Sequence, residues 1–177
     1  MTDRDRARDS APERWAAGLA ALPRLVGRCA AWLTIVMALL CFGIVALRYG
    51  WSLGWVAMQE ALVAANAAMF MLALAWVLGE DGHVRVDVFY RDWPPRRQAL
   101  VNLLGTVLLL WPVCGYLLIE SLDYVAAAWR VREGSREPGG LPGVFLIKTL
   151  IPVAAVLLSL QGLALGLRSA VRLRGDR

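Results

Sequence analysis

The chain has 177 residues, of which 59% are hydrophobic and 19% are charged, so it is more apolar than a typical soluble domain. Its formal net charge is +5, but the basic residues lie in segments between apolar runs and not along one helical face. That pattern excludes a nucleic-acid-binding surface and is typical of charges that orient a membrane protein. The cysteines, Cys29, Cys41 and Cys114, fall within or beside the apolar runs, which excludes a disulfide-rich secreted scaffold.

Four stretches of the chain contain no charged residue, and they cover 29–47, 61–79, 98–119 and 149–167. A helix rises about 1.5 Å per residue, so about 20 apolar residues cross the hydrocarbon core of a bilayer. A soluble bundle would show a polar face on every helix, and these stretches have none. The sequence therefore predicts an all-α integral membrane protein. Its membrane domain extends over 29–167, with four transmembrane helices at about 29–49, 53–79, 97–122 and 144–167.

The segments outside the predicted spans differ in character. Residues 1–10 are highly charged and are predicted to form a disordered tail, and residues 168–177 form a basic tail. After the charged tail, residues 11–28 include large apolar residues at helical spacing. This pattern predicts a short amphipathic helix that lies on the membrane surface. The residues of this apolar stripe are Trp15, Leu19, Leu22 and Val26.

The distribution of basic residues predicts the orientation. The two terminal segments and the loop between spans two and three hold 14 of them, and the other two loops hold 5. Positive charge accumulates on the cytoplasmic side of membrane proteins. Both termini and the middle loop are therefore predicted to be cytoplasmic, which makes the loop between spans three and four external.

The middle loop contains a segment in which polar and apolar residues alternate. His83, Arg85 and Asp87 alternate with valines at 84, 86 and 88. A period of two is typical of an extended segment with one apolar side. We expect this segment to hold the loop at the membrane surface.

Few polar groups lie inside the spans. Glu60 sits at the edge of the charge-free core of span two, so it is either an ordinary interfacial carboxylate or a polar anchor to another subunit. Asn66, six residues deeper, is typical of a hydrogen bond between membrane helices. Gly162 and Gly166 form a small-xxx-small pair in span four, which permits close helix approach.

The sequence shows no catalytic pattern. There is no P-loop, no nucleophile motif and no metal-ligand spacing, and the single histidine excludes a haem held by two histidines of this chain. We therefore expect neither an enzyme nor a bound cofactor. A transporter that held a polar substrate alone would be expected to carry more polar groups at mid-membrane.

Several short motifs follow one another in an order that resembles a known family. They are Arg48-Tyr49, Trp55, Gln59-Glu60, the run from Ala75 to Gly79, the run from Gly82 to Asp87, the run from Pro138 to Pro142, Lys148, Pro152 and Leu160-Gln161-Gly162. Over about 29–167 the chain resembles the small membrane subunit of tripartite ATP-independent periplasmic (TRAP) transporters, the DctQ-like family. Members of that family often carry two acidic residues where this chain has Gln59 and Glu60, so a role that needs two carboxylates is not expected.

The resemblance implies a function and two protein partners. In such systems a periplasmic solute-binding protein captures a small, usually carboxylated solute, and a large membrane subunit carries it inward with a cation, commonly sodium. The small subunit is expected to brace the large one in the bilayer of the bacterial inner membrane. The alternatives are a membrane-anchor subunit of a respiratory or other enzyme complex and a free-standing channel or homo-oligomeric transporter.

The resemblance also implies which residues contact the partners. We expect contact with the large subunit from residues on spans two and four, namely Gln59, Glu60, Asn66, Gly162 and Gly166. The external loop is either a solvated turn or the surface on which the binding protein docks. Its candidate docking residues are Arg130, Arg132, Glu133 and Arg136.

Overall fold

The computed structural model describes residues 11–82, 90 and 92–175, without the side chains of the last two of these. The predicted charged tail at 1–10 lies outside them. The described chain forms six α-helices and one π-helical turn, Thr106–Leu110. The helices are α1 (Ala11–Ala31), α2 (Leu33–Trp51), α3 (Val56–Gly79), α4 (Pro95–Gly105), α5 (Trp111–Arg130) and α6 (Val144–Gly175).

Four helical stretches are long and apolar enough to cross a membrane, which confirms the predicted number of spans. They are Ala11–Trp51, Val56–Gly79, Pro95–Arg130 and Val144–Leu173. The first combines α1 and α2, which meet at Trp32 through hydrogen bonds between residues three apart. The third combines α4, the π-helical turn and α5.

Helices α2, α3, α6 and α5 pack in a row and not in a closed ring. In the described part of the chain, α2 contacts α3, α3 contacts α6 and α6 contacts α5, whereas α2 and α5 do not meet. We call the two ends of this row of helices the Glu60 end, where α3 begins, and the Gly79 end, where α3 ends. A row of helices has two broad faces, and many large apolar side chains on these faces are exposed. Much of the apolar side-chain surface of the described residues is therefore exposed.

Helix α1 packs across α3 and α6 with a stripe of small residues. The buried positions repeat at intervals of four and three, as one face of a helix does, and they are Ala16, Ala20, Pro23, Gly27 and Ala30. Ala16 and Ala20 form a small core with Ala164 of α6. Small side chains let helix backbones approach closely, which explains why this face is the inner one.

Several large apolar residues of α1 point away from α3 and α6. Trp15 is 71% exposed, and Leu22 and Leu25 are also exposed. The predicted apolar stripe of the amphipathic helix is therefore available to lipid at Trp15 and Leu22, whereas its Leu19 packs against the small core. At the Gly79 end, Arg24 of α1 pairs with Glu80 at 3.5 Å.

We expect Gly27 to be the least replaceable residue of α1. A Cβ at this position would clash with the Cβ of Trp76, which cannot move without its backbone. Gly27→Ala should destabilise the protein by about 1–3 kcal/mol, the usual cost of overpacking. Thermal unfolding in detergent, followed by loss of the monodisperse peak in size-exclusion chromatography, measures the effect.

The matched control for this prediction is Gly18→Ala in the same helix. No atom lies within 4 Å of a Cβ at Gly18, and alanine is favoured over glycine in a helix by roughly 1 kcal/mol. This variant should unfold at the same or a higher temperature than the parent chain. Equal destabilisation by both substitutions would contradict the packing of α1 on α3.

The π-helical turn faces α6 at Gly162. A Cβ on Gly162 would lie 2.6 Å from Cδ2 of Leu110 and 3.4 Å from Cγ2 of Thr106. The hydroxyl of Thr106 donates to the backbone carbonyl of Asn102 at 2.8 Å and is buried. The absence of a side chain at Gly162 thus lets α6 approach the turn closely.

Candidate functional site

The carboxylate of Glu60 joins α3 to the loop between α5 and α6, residues 131–143. Its Oε2 accepts a hydrogen bond from the backbone N–H of Leu141 at 2.6 Å, and its Oε1 accepts one from the hydroxyl of Ser135. These partners are 81 and 75 residues away in the chain. Charge-assisted hydrogen bonds are shorter and stronger than neutral ones, so this carboxylate fixes the loop against the start of α3.

The loop is also closed by hydrogen bonds of its own. The N–H of Ser135 donates to the carbonyl of Leu141 at 2.7 Å, and the N–H of Gly140 donates to that of Glu137 at 3.0 Å. Gly140 packs directly on the junction, because a Cβ there would lie 2.5 Å from Oγ of Ser135 and 2.7 Å from Oε2 of Glu60. The loop therefore has a defined shape in which Gly140 admits no larger residue.

The end of α5 turns into this loop through a Schellman motif. The N–H of Glu133 donates to the carbonyl of Ala128, and the N–H of Arg132 donates to that of Trp129. Arg132 adopts the left-handed conformation that this motif requires, with φ 46°. The motif ends α5 sharply and starts the loop in a defined direction.

Lys148 at the start of α6 ties the loop to both neighbouring helices. Its Nζ lies 2.5 Å from Oε2 of Glu133 and 4.1 Å from the centre of the Tyr124 ring. Next to it, Trp129 packs edge-on against Phe145 and donates from Nε1 to the hydroxyl of Thr149 at 2.9 Å. The cation, the ring and the carboxylate thus hold α5, the loop and α6 together at the Glu60 end.

The four predicted docking residues of the loop separate into two groups. Arg130, Arg132 and Arg136 are exposed, whereas Glu133 is half-buried and paired with Lys148. Glu137 is exposed as well, so Arg130 and the loop together expose three arginines and one carboxylate, and their net charge is positive. Sequence reasoning missed Ser135, Gly140 and Leu141 as the partners of Glu60. Gly and Pro residues are frequent in this loop and are typical of turns, but no pattern in the sequence connects it with a residue of span two.

A second feature of the site is a stripe of exposed residues on α3. Gln59, Val63, Asn66 and Phe70 recur at intervals of four, three and four, so they share one side of the helix. Val63 is 68% exposed and Phe70 is 63% exposed. Glu60 lies off this stripe and faces the loop. We call these four residues the α3 stripe.

Asn66 is the polar residue at the centre of the α3 stripe. It lies ten residues from the start of α3 and thirteen from its end, so it is about 15 Å and about 20 Å from the two ends of the helix. Its side chain is exposed and makes no hydrogen bond with the described part of the chain. An amide without a partner in hydrocarbon is unfavourable by about 1–3 kcal/mol. This side chain therefore requires a partner from outside the described residues.

The other predicted contact residues lie elsewhere. Gly162 is buried against the π-helical turn, and a Cβ on Gly166 would lie 3.8 Å from Cδ1 of Leu103, so both glycines pack within the chain. Gln161 beside them is 2% exposed, and it packs on Gly79. His83, Arg85 and Asp87 lie outside the described residues.

A family model for the DctQ component of tripartite ATP-independent periplasmic transporters matches residues 36–172, which extend from the first turn of α2 to the last turn of α6. No curated protein and no solved structure matches the chain.

Proposed function

The chain belongs to the DctQ family, the small membrane component of TRAP transporters, and we propose that it braces the large transport subunit in the membrane. The family is a transporter component and not an enzyme. In this role the α3 stripe is the surface that contacts the large subunit. The assembly lies in a bacterial inner membrane, and both termini of this chain are in the cytoplasm.

The observation that carries this proposal is the outward-facing amide of Asn66. Lipid offers it no hydrogen-bond partner, whereas a helix of another membrane protein does. The apolar residues on either side, Val63 and Phe70, would pack around that hydrogen bond. The row arrangement of the spans supports the same conclusion, since its broad faces suit attachment to a larger protein.

We therefore propose fewer residues in contact with the large subunit than the sequence alone suggested. Gln59 and Asn66 contact the large subunit through the α3 stripe. Glu60, Gly162 and Gly166 act within the chain, where they fix the loop and the approach of α6 to the π-helical turn. The segment from His83 to Asp87 remains our candidate for holding the cytoplasmic loop at the membrane surface.

We further propose that the 131–143 loop offers part of the docking surface for the periplasmic solute-binding protein, together with Arg130 at the end of α5. Arg130, Arg132 and Arg136 are exposed there, and the loop is held in one shape by Glu60 and Lys148. A preformed surface binds with less loss of conformational entropy than a mobile one. Positive charge would also steer an acidic partner surface toward it.

In the assembled system, the small subunit supports cation-coupled uptake of a small, carboxylated solute that the binding protein delivers. The chain's own spans hold few polar groups, so the solute and the cation are carried by the large subunit. The family assignment favours this role over that of an anchor subunit in a respiratory enzyme complex.

Reconstitution into vesicles tests this function. The chain, the large subunit and the binding protein together should take up solute when a sodium gradient is imposed. Omission of this chain should reduce uptake by about ten-fold or more, as expected when a subunit interface of several kcal/mol is lost. Vesicles that contain this chain alone should show no flux, and solute flux through them would contradict the subunit assignment.

A further inference from the structure

A cleft of about 770 Å³ opens at the Gly79 end of the molecule, between α4, α6 and the end of α3. It differs from the exposed apolar faces because its lining changes from apolar to basic along the helices. Leu110 and Leu165 line the part nearer the middle of the spans, which we call its deeper part, and Arg168 and Arg172 line the part nearer the end of α6, which we call its mouth. From Gln98 to Leu110 the cleft follows the helix over about 18 Å, at about 1.5 Å per residue.

The two arginines have no carboxylate partner in the part of the chain that the structure describes. Arg168 is half-buried and Arg172 is exposed, and neither forms an ion pair there. Asp81 also lines the cleft, so the net charge of these three side chains is positive. A half-buried guanidinium at a membrane surface is stabilised by an anion with several oxygens.

An independent observation comes from Ser169, which lines the same cleft and is 7% exposed. Other hydroxyls of the spans, on Thr106, Thr149 and Ser159, donate to the backbone carbonyl four residues earlier. The hydroxyl of Ser169 makes no hydrogen bond with any described residue. Buried polar groups in proteins are almost always paired, so this donor is available to a ligand in the cleft.

One further polar group of the cleft can donate a hydrogen bond to an anion. The amide of Asn102 donates to the hydroxyl oxygen of Tyr90 at 2.8 Å, which leaves the Tyr90 O–H free to donate. The amide nitrogen of Gln98 is occupied by the backbone carbonyls of Tyr90 and Trp93. The Tyr90 hydroxyl can thus join Arg168, Arg172 and Ser169 as a donor to a phosphate, beside the acceptor oxygens of Gln98, Asn102 and Asp81.

We propose that this cleft binds the headgroup of an anionic phospholipid from the leaflet at the Gly79 end. The phosphate contacts Arg168, Arg172 and the hydroxyl of Ser169, and an acyl chain follows the apolar lining toward Leu110. The change from basic mouth to apolar depth distinguishes a lipid from a free phosphate, since a free phosphate would gain nothing from the apolar part.

Native mass spectrometry of the full chain in detergent tests this site, with phosphatidylglycerol as the probe. Phosphatidylcholine and inorganic phosphate serve as the comparison ligands. We expect one molecule of phosphatidylglycerol to bind preferentially. Arg168→Gln combined with Arg172→Gln should weaken it by at least about ten-fold, because two charge-assisted hydrogen bonds are lost.

The matched control removes the same charge from the same end of the molecule. Arg96 and Arg97 at the start of α4 are exposed and do not line the cleft, so their double substitution by glutamine should leave binding within about two-fold. Ser169→Ala should weaken binding without a change in charge. Equal loss in the control, or no effect of Ser169→Ala, would show attraction to surface charge and overturn the site.

Two further outcomes would also overturn the proposal. If inorganic phosphate bound and phosphatidylglycerol did not, the ligand would be a free anion. If the large subunit displaced the lipid from the assembled complex, the cleft would be a protein contact. Retention of phosphatidylglycerol by the complex, but not by its Arg168→Gln, Arg172→Gln variant, would support the lipid site.

Discussion

Replacement of Glu60 by alanine is expected to release the 131–143 loop from α3. The backbone N–H of Leu141 and the hydroxyl of Ser135 would both lose the carboxylate that they contact. Trypsin can report this change, because Arg132 and Arg136 are exposed in the loop. Cleavage there should become faster by about ten-fold, since proteolysis follows the population of the open form.

Two other substitutions show whether the effect arises at this junction. Gly140→Ala should open the loop from the opposite side, because its Cβ would meet Oγ of Ser135 and Oε2 of Glu60. Gly134→Ala is the matched control, as its Cβ would make ordinary contacts, the nearest at 3.5 Å from Cα of Pro142. If the loop docks the binding protein, Glu60→Ala and Gly140→Ala should also lower uptake in the assembled transporter. Unchanged cleavage in Glu60→Ala would contradict the proposed role of the carboxylate.

A tryptophan at position 66 is expected to separate the chain from the large subunit while the chain itself stays folded. Asn66 is exposed and makes no hydrogen bond within the described residues, so the larger side chain meets no obstacle in the isolated molecule. At a packed interface, overpacking typically costs about 1–3 kcal/mol. Recovery of the large subunit with the tagged chain should therefore fall by about ten-fold.

Leu109→Trp is the control for this prediction. Leu109 is 70% exposed and lies fourteen residues from Pro95, a depth similar to that of Asn66, which lies thirteen residues from Gly79. Lipid should accommodate a tryptophan there, so co-purification should be unchanged. If Leu109→Trp disrupted the complex and Asn66→Trp did not, the contact surface would have to be placed on the α4–α5 side.

The spans could be predicted from the sequence because the signal is local. Each is a run of uncharged residues long enough to cross a bilayer, and nothing elsewhere in the chain can change that property. The residues that end α3 were harder to predict from the sequence. The sequence predicted an end of span two near position 79, but the left-handed residue that follows is Asp81, with φ 58°, and Gly79 is needed for the approach of Gln161.

The contacts between distant segments could not be predicted. In the sequence, Glu60 is equally suited to a neighbouring subunit, and only the fold brings Ser135 and Leu141 to its two oxygens. The same holds for Gly162 and Gly166, whose spacing permits close approach but does not identify the partner helix. Asn66 differs, because its position within span two was visible in the sequence. The fold adds that its side chain faces outward.

Site-specific photo-crosslinking from position 66 tests the central claim most directly. A benzoylphenylalanine at this position, in the transporter assembled in membranes, should form an adduct between this chain and the large subunit on irradiation. The same probe at position 109 should yield no such adduct. Adducts to the large subunit from position 109 alone would contradict the assignment of the α3 stripe as the bracing surface.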